Sequence, residues 1–360
     1  MTDTQTTRVG FIGTGVMARH HLDVMLARDD TDVVAVCEPS ATAYAKVVEL
    51  FDRHARPAPA NEPDWRRFVA TFGPDLDAVF ILTPHAFHFA QATACLEAGL
   101  DVLLEKPMVL TADEARALIA TRDRTGRLLV VAFQGSLSPQ VREASRLLRS
   151  GELGSILNIS ATAWQNWSMN TVGTWRQQPE LSGGGFMFDT GAHMLNTVAD
   201  LAGEDFTEVA AWLEDDGRPV DVRAAVIGRL ASGALVTMNA CGSAIPSCHS
   251  EIRVFTTGAI LRTGIWGETL EIQRSGAAVS RKVRSVAETH VWEQFLNVRS
   301  GRIPNPSPPE VGLRMARLWD AIRESSTQAG AVVRLPPDEP IDVGAGRVAG
   351  AAAAAGAAGR

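Results

Sequence analysis

The 360-residue sequence predicts two domains, a doubly wound α/β domain followed by an α+β domain with a large, mainly antiparallel open sheet. Three observations carry this reading. Short apolar runs alternate with helical stretches up to about residue 133, which implies βαβ units and a parallel sheet. A glycine-rich turn joins the first of these runs to the first helix. Beyond residue 154, strand-like runs follow one another through short Gly- and Asp-containing links that suit hairpins. The expected boundaries are 1–133 for the first domain, 134–342 for the second, and 343–360 for an Ala/Gly-rich tail with little to bury. At this length two cores are expected, because a single core stops growing well before 360 residues.

In order along the chain, Arg8 to Ile12 reads as the first strand and Val16 to about Arg28 as the helix after the glycine turn. Asp32 to Cys37 is a valine-rich strand suited to burial on both faces. A helix over Ala41 to Phe51 follows, then strands at Ala78 to Leu82, Asp101 to Leu104 and Leu128 to Phe133. Between them run a helix ending near Ala98 and one over Thr111 to Thr125, opened by a Thr111/Glu114 capping box. The second domain offers strands at 156–164, 207–213, 222–230, 234–241, 252–256, 259–263 and 269–273. Its last helix runs over Pro309 to Ser325, with Leu313, Ala316, Leu318 and Ile322 facing inward.

The net charge of −7 argues against a nucleic-acid surface, which needs clustered Lys and Arg. Cys37, Cys95, Cys241 and Cys248 have no metal-ligand spacing and are expected to be buried free thiols. No His/Cys/carboxylate cluster has ligand spacing either, so no metal is expected. Met1 to Arg8 is polar, unlike a signal peptide, and no apolar run would span a bilayer, so a cytoplasmic, membrane-free protein is expected.

Gly13-Thr14-Gly15-Val16-Met17-Ala18 fits the dinucleotide-binding pattern G-x-G-x-x-G/A. Gly13 makes the tight turn and Gly15 lets the backbone approach a pyrophosphate. Ala18 allows close helix packing, and Val16 and Met17 open a helix whose free N–H groups face the phosphates. A Rossmann domain follows from this context. Glu38 ends the second strand, where a carboxylate accepts from the adenosine ribose hydroxyls and repels a 2′-phosphate. NAD is therefore favoured over NADP.

Glu105-Lys106-Pro107 ends a parallel strand, where open α/β sheets place ligands, and the Lys106 ammonium is suited to a developing alkoxide. Farther on, Asp189 and His193 have the i,i+4 spacing of one helix face. That spacing lets the carboxylate orient an imidazole able to take an alcohol proton. Taken alone, such a pair is more often a structural contact. Trp164, Trp167 and Trp175 precede this segment and suit the C–H face of a sugar or cyclitol ring. His20 and His21 read as packing or surface residues.

The sequence resembles the glucose–fructose oxidoreductase, inositol dehydrogenase and rhizopine-catabolism (Gfo/Idh/MocA) family from Val9 to about Leu335. The resemblance rests on the Gly13–Ala18 pattern, Thr83-Pro84 with His88, Glu105-Lys106-Pro107, and Leu147 to Ile156 with Gly151 and Gly154. Trp175-Arg176 and Gly183-Gly184-Gly185 with Asp189 and His193 complete it, all in this order. It implies an NAD- or NADP-dependent enzyme acting on a sugar or cyclitol carbon, with Lys106, Asp189 and His193 in the active site. Thr83, Pro84, His88, Glu105, Lys106, Trp175 and Arg176 are then cofactor neighbours, and Gln134, Trp164, Trp167, Asp189 and His193 substrate neighbours. The chain departs from the family in having His85 where Asn is usual, Gln134 and Ser136 where Asn and Arg are frequent, and Asn196 where many members have Asp. The only tyrosine, Tyr44, is remote from these motifs, so a Tyr/Lys proton relay is not expected. The family also holds glycosidases that oxidise transiently and non-catalytic dinucleotide sensors. A homodimer or homotetramer through the open sheet is expected.

Overall fold

The computed structural model of the chain describes residues 6–283 and 290–336. Six parallel strands form the first sheet: β1 (Thr7–Ile12), β2 (Thr31–Cys37), β3 (Ala60–Asn61), β4 (Ala78–Ile81), β5 (Asp101–Leu104) and β6 (Leu129–Val131). Their order is β3-β2-β1-β4-β5-β6, so the chain reverses its direction of winding between β1 and β4. Ligands of such sheets sit outside the carboxyl ends of the strands at that point. The crossovers carry α1 (Val16–Leu26), α2 (Ala41–Arg53), α3 (Trp65–Phe72), α4 (His88–Glu97) and α5 (Ala112–Thr125). Strand β3 and helix α3 were not anticipated; the former is two residues long and the latter lacks a long apolar repeat. Ser40, Asp64 and Thr111 cap their helices as short polar N-caps do. The partner carboxylate of the Thr111 box, Glu114, accepts from Leu110 N–H one residue earlier.

After α6 (Gln134–Leu137) and α7 (Pro139–Arg149) the chain enters the second sheet at β7 (Ile156–Gln165). It leaves through α8 (Trp167–Asn170), α9 (Pro179–Ser182), α10 (Phe186–Asp189) and α11 (Gly191–Ala202). Strands β8 (Phe206–Glu214), β9 (Arg223–Leu230), β10 (Leu235–Cys241), β11 (Cys248–Thr256), β12 (Ala259–Thr263), β13 (Leu270–Arg274), β14 (Arg281–Lys282) and β15 (Val333–Arg334) complete nine. The order is β14-β13-β12-β11-β7-β10-β9-β8-β15, antiparallel except at β10 against β7. One face of β7 carries buried Ile159, Ala161 and Ala163; Asn158, Ser160 and Thr162 lie on the other. Helices α7, α11 and α13 (Pro309–Thr327) cover the buried face, and Leu313, Ala316, Leu318 and Ile322 are all buried as expected.

Two helices tie the halves together. Helix α13 packs on α5 and β6 as well as β8. Helix α12 (Val291–Arg299), unread in the sequence, returns to the first sheet with Val291, Trp292, Phe295 and Val298 among Phe11, Val33 and Phe80. Among the described residues no helix is long and apolar enough to cross a membrane. The thiols differ from expectation: Cys37 and Cys95 are buried, but Cys248 is exposed and Cys241 partly so, because they end β10 and begin β11 at the sheet's margin. The Ala/Gly tail, 343–360, lies outside the described residues.

Candidate active site

A cavity of about 540 Å³ opens where the carboxyl ends of β1, β4, β5 and β6 meet the buried side of the second sheet. Its first lobe is the glycine turn. Gly13 adopts φ +90°, and a Cβ there would sit 2.8 Å from Leu82 O, so the turn requires glycine. Nothing lies within 4 Å of where a Gly15 Cβ would point, which leaves that side open for an approaching group. No side chain caps the start of α1, and Val16 and Met17 are exposed there. Free N–H groups at an uncapped helix start fit a pyrophosphate. Glu38 is buried under the turn. Its Oε2 accepts from Thr14 N–H (2.9 Å) and Oγ1–H (2.8 Å), and its Oε1 from Ser40 N–H (2.8 Å).

The second lobe is built around Asp189. The Gly183–Gly185 run lets the chain pass against Asp221; a Cβ on Gly185 would fall 1.9 Å from Asp221 O. The Asp221 carboxylate accepts from the N–H groups of Gly185 (2.7 Å) and Met187 (2.9 Å), fixing the start of α10. Asp189 at its end receives Lys106 Nζ on Oδ1 (3.0 Å), and Trp167 Nε1 (2.8 Å) and Arg176 Nε (2.9 Å) on Oδ2. Burial alone would raise this carboxyl's pKa. The Lys106 and Arg176 charges, with His85 and Trp167, outweigh it and hold the group well below the usual carboxylate range. Lys106 Nζ also donates to Asp189 O at 2.9 Å, so two of its three N–H groups are committed.

The expected Asp189–His193 contact does not form. A break between α10 and α11 separates the two residues, and Asp189 is taken by three donors from elsewhere. His193 instead packs between Phe133 and Trp266, lines the cavity, and has a buried Nδ1 without a partner. Burial first, then the nearby Lys106 charge, push its pKa well below the ordinary value against the opposing pull of Asp189. Asp189 pulls upward, but burial and Lys106 outweigh it. The lowered pKa keeps the His193 ring neutral near pH 7.

Other expected residues divide cleanly. Val16, Met17, Thr83, Glu105, Lys106, Gln134, Trp167, Trp175, Arg176, Asp189 and His193 line the cavity. Gly13, Gly15, Glu38 and Pro84 sit in turns beside the cavity and do not line it. His88 does not reach it. The ring is fully buried between the two loops, with Nδ1 2.8 Å from Pro107 O and Nε2 3.0 Å from Thr83 O; burial favours the neutral ring, whose single N–H donates to one of them. Trp164 is also excluded, since strand alternation turns it to the open face against His249 while neighbouring Gln165 faces the cavity.

Two histidines were missed as site residues. His85 is buried, with Nδ1 against Ser182 O (2.8 Å) and Nε2 3.8 Å from Asp189 Oδ1. Burial lowers its pKa to about 3, so it is neutral and presents an acceptor to the cavity. His21, read as packing or surface, lines the cavity beside Glu105. Among the described residues, no group of three or more His, Cys, Asp or Glu side chains is placed to hold a metal. The buried imidazoles predict acid instability. An unfolded histidine takes a proton below about pH 6.5, whereas folded His85 does so only near pH 3. Stability is complete above pH 6.5 and falls as pH drops, by about 2 kcal/mol at pH 5 from His85 alone. Urea unfolding at pH 7.5 and pH 5 measures this; equal midpoints would show these rings to be solvated.

A parallel sheet with a dinucleotide-type turn, joined to an open sheet that closes a cavity over it, defines a class of NAD(P)-binding Rossmann proteins. Two family models match, the oxidoreductase family with NAD-binding Rossmann fold over residues 7–133 and the GFO/IDH/MocA C-terminal domain over residues 141–262. The chain belongs to the Gfo/Idh/MocA oxidoreductase family. It is 29% identical over 221 residues to levoglucosan dehydrogenase of Pseudarthrobacter phenanthrenivorans, covering 58% of this chain and 54% of that one. It is 26% identical over 205 residues to α-N-acetylgalactosaminidase of Shewanella oneidensis, covering 54% and 44%. The chain thus spans about half the length of the curated relatives it matches. A structure of levoglucosan dehydrogenase with NADH and levoglucosan shares the fold, with TM-score 0.77 and 23% identity over 92% of this chain and all of the other.

Proposed function

We propose that the chain is an NAD-dependent oxidoreductase acting on a hydroxyl-bearing carbon of a sugar, glycoside or cyclitol. The observation that carries this is the Lys106 ammonium, which lines the cavity beside the glycine turn and is held by Asp189 with one N–H left over. Bound NAD supplies the acceptor for the hydride. The residues of this chain do the rest. Lys106 donates to the substrate oxygen and stabilises alkoxide character there. Neutral His193 takes the hydroxyl proton on Nε2, the nitrogen left to the cavity once Nδ1 is sealed in the interior. Asp189 acts on Lys106 and Arg176 and has no direct hold on His193. Trp167, Trp175 and Trp266 offer faces for ring C–H groups, and Gln134, Gln165 and Asn170 offer amides for hydroxyls. Cationic and anionic side chains balance in this lining, which suits a neutral polyol.

NAD is the preferred dinucleotide because the Glu38 carboxyl lies under the turn, accepting from the Thr14 and Ser40 N–H groups. Glu38→Gln should narrow the preference over NADP by removing the repulsion while keeping an acceptor for Thr14. Calorimetry with both cofactors measures it, and tighter NADP binding by the native protein would overturn the assignment. We also propose that a second copy covers the open sheet face, where Trp212, Ile227 and Leu235 are exposed, giving a homodimer or homotetramer in the cytoplasm.

A further inference from the structure

A chain of three side chains runs behind the cavity wall. His290 is the N-cap of α12, and its Nδ1 accepts from Trp292 N–H at 3.3 Å. Its Nε2 lies 2.9 Å from His21 Nδ1, and His21 Nε2 lies 3.4 Å from Glu105 Oε1. The other Glu105 oxygen accepts from Lys106 N–H at 3.1 Å. The far end is rigid, because Trp292 is fully buried, stacked on Phe295, and donates its indole N–H to Thr31 Oγ1 at 2.8 Å.

A backbone N–H can only donate, so His290 Nδ1 must be unprotonated and its Nε2 must carry the hydrogen. That hydrogen points at His21 Nδ1, which must accept, so His21 donates from Nε2 to Glu105. Each tautomer follows from the one before it. The direction is fixed from α12 to the cavity. Closed by an amide at its outer end, the chain cannot carry protons away from the site. A proton added to either ring would turn an acceptor into a donor and break one of the links.

We propose that His21 and His290 are positioning residues, a one-way hydrogen-bond chain that sets the Glu105 carboxylate on the cofactor side of the cavity and comes apart on uptake of one proton. This rests on the dinucleotide half of the reading above. The groups facing the pair are His20 on α1, Glu105 and Lys106 after β5, and Arg28, which pairs with Glu293 of α12 at 3.8 Å. Burial first, then His21, exposed His20 and half-buried Arg28 disfavour a charge on His290 and lower its pKa to about 3, while Glu105 lies beside His21.

The test uses the whole protein with ¹⁵N-labelled histidine. Long-range ¹⁵N spectra at pH 7.5 should show His21 and His290 as Nε2–H tautomers; a protonated Nδ1 on either overturns the chain. His290→Asn keeps an oxygen for Trp292 N–H, but its shorter side chain stops short of His21. Its melting temperature should stay near native while NADH affinity, read by NADH fluorescence, falls about tenfold, the worth of one hydrogen bond feeding a charged group. Native-like affinity in the variant would overturn the role, as would an affinity loss that merely follows a large drop in melting temperature. Failure of native protein to bind NADH would overturn the dinucleotide reading and the role of Glu105, while the tautomers would still report on the chain itself.

Discussion

His193→Ala should lower turnover by about two to four orders of magnitude, the usual worth of a positioned proton acceptor. NAD affinity should survive, because the glycine turn and Glu38 lie on other elements. The variant also removes a buried imidazole with an unpaired Nδ1, so part of the packing loss is offset and the protein should remain folded. Turnover and thermal unfolding measured on one preparation separate chemistry from packing. A variant with near-native turnover would remove His193 from the mechanism and leave Lys106 alone with the substrate oxygen. Deep burial shapes the pH profile as well. Since the free imidazole is already neutral, an inflection in kcat/KM near pH 6.5 would have to come from another group.

Lys106→Met should cost about two to three orders of magnitude in turnover, comparable to removing one donor from an oxyanion site. It should leave NAD binding intact. Asp189 keeps Trp167 and Arg176, so the melting temperature should fall by only a few degrees. Asp189→Ala is the harsher change for folding, since it leaves the largely buried Lys106 ammonium and the half-buried Arg176 guanidinium without their shared carboxylate. Losing one partner of a buried pair costs about 3–5 kcal/mol. A Lys106→Met protein that turned over normally but unfolded easily would make the lysine a structural cation.

Sequence features reveal those parts of the site that depend on local chemistry. The glycine turn, the acidic end of β2 and the lysine after β5 stand at strand ends that the alternation of runs already marks. The large open sheet follows from its closely spaced strands. The parallel contact of β10 with β7 does not, because each run reads equally well in a hairpin. The Asp189–His193 pairing failed for a related reason. Helical spacing describes which side chains share a face, but Lys106 and Arg176 reach Asp189 from 83 and 13 residues away and neutralise it first. His21 depends on His290, 269 residues distant, so its role is invisible to local pattern. Trp164 was legible after all. The small polar residues at 158, 160 and 162 mark the face on which the even positions of β7 stand, and residue 164 belongs to that row.

The central claim is net hydride transfer from a sugar, glycoside or cyclitol to NAD. Purified protein is incubated with NAD and a panel of hexoses, glycosides and inositols, while NADH absorbance and product mass are read together. NADH is expected in step with a product two hydrogens lighter than its substrate. Release of an aglycone with no accumulating NADH would contradict it and make the chain a glycosidase that oxidises only in passing.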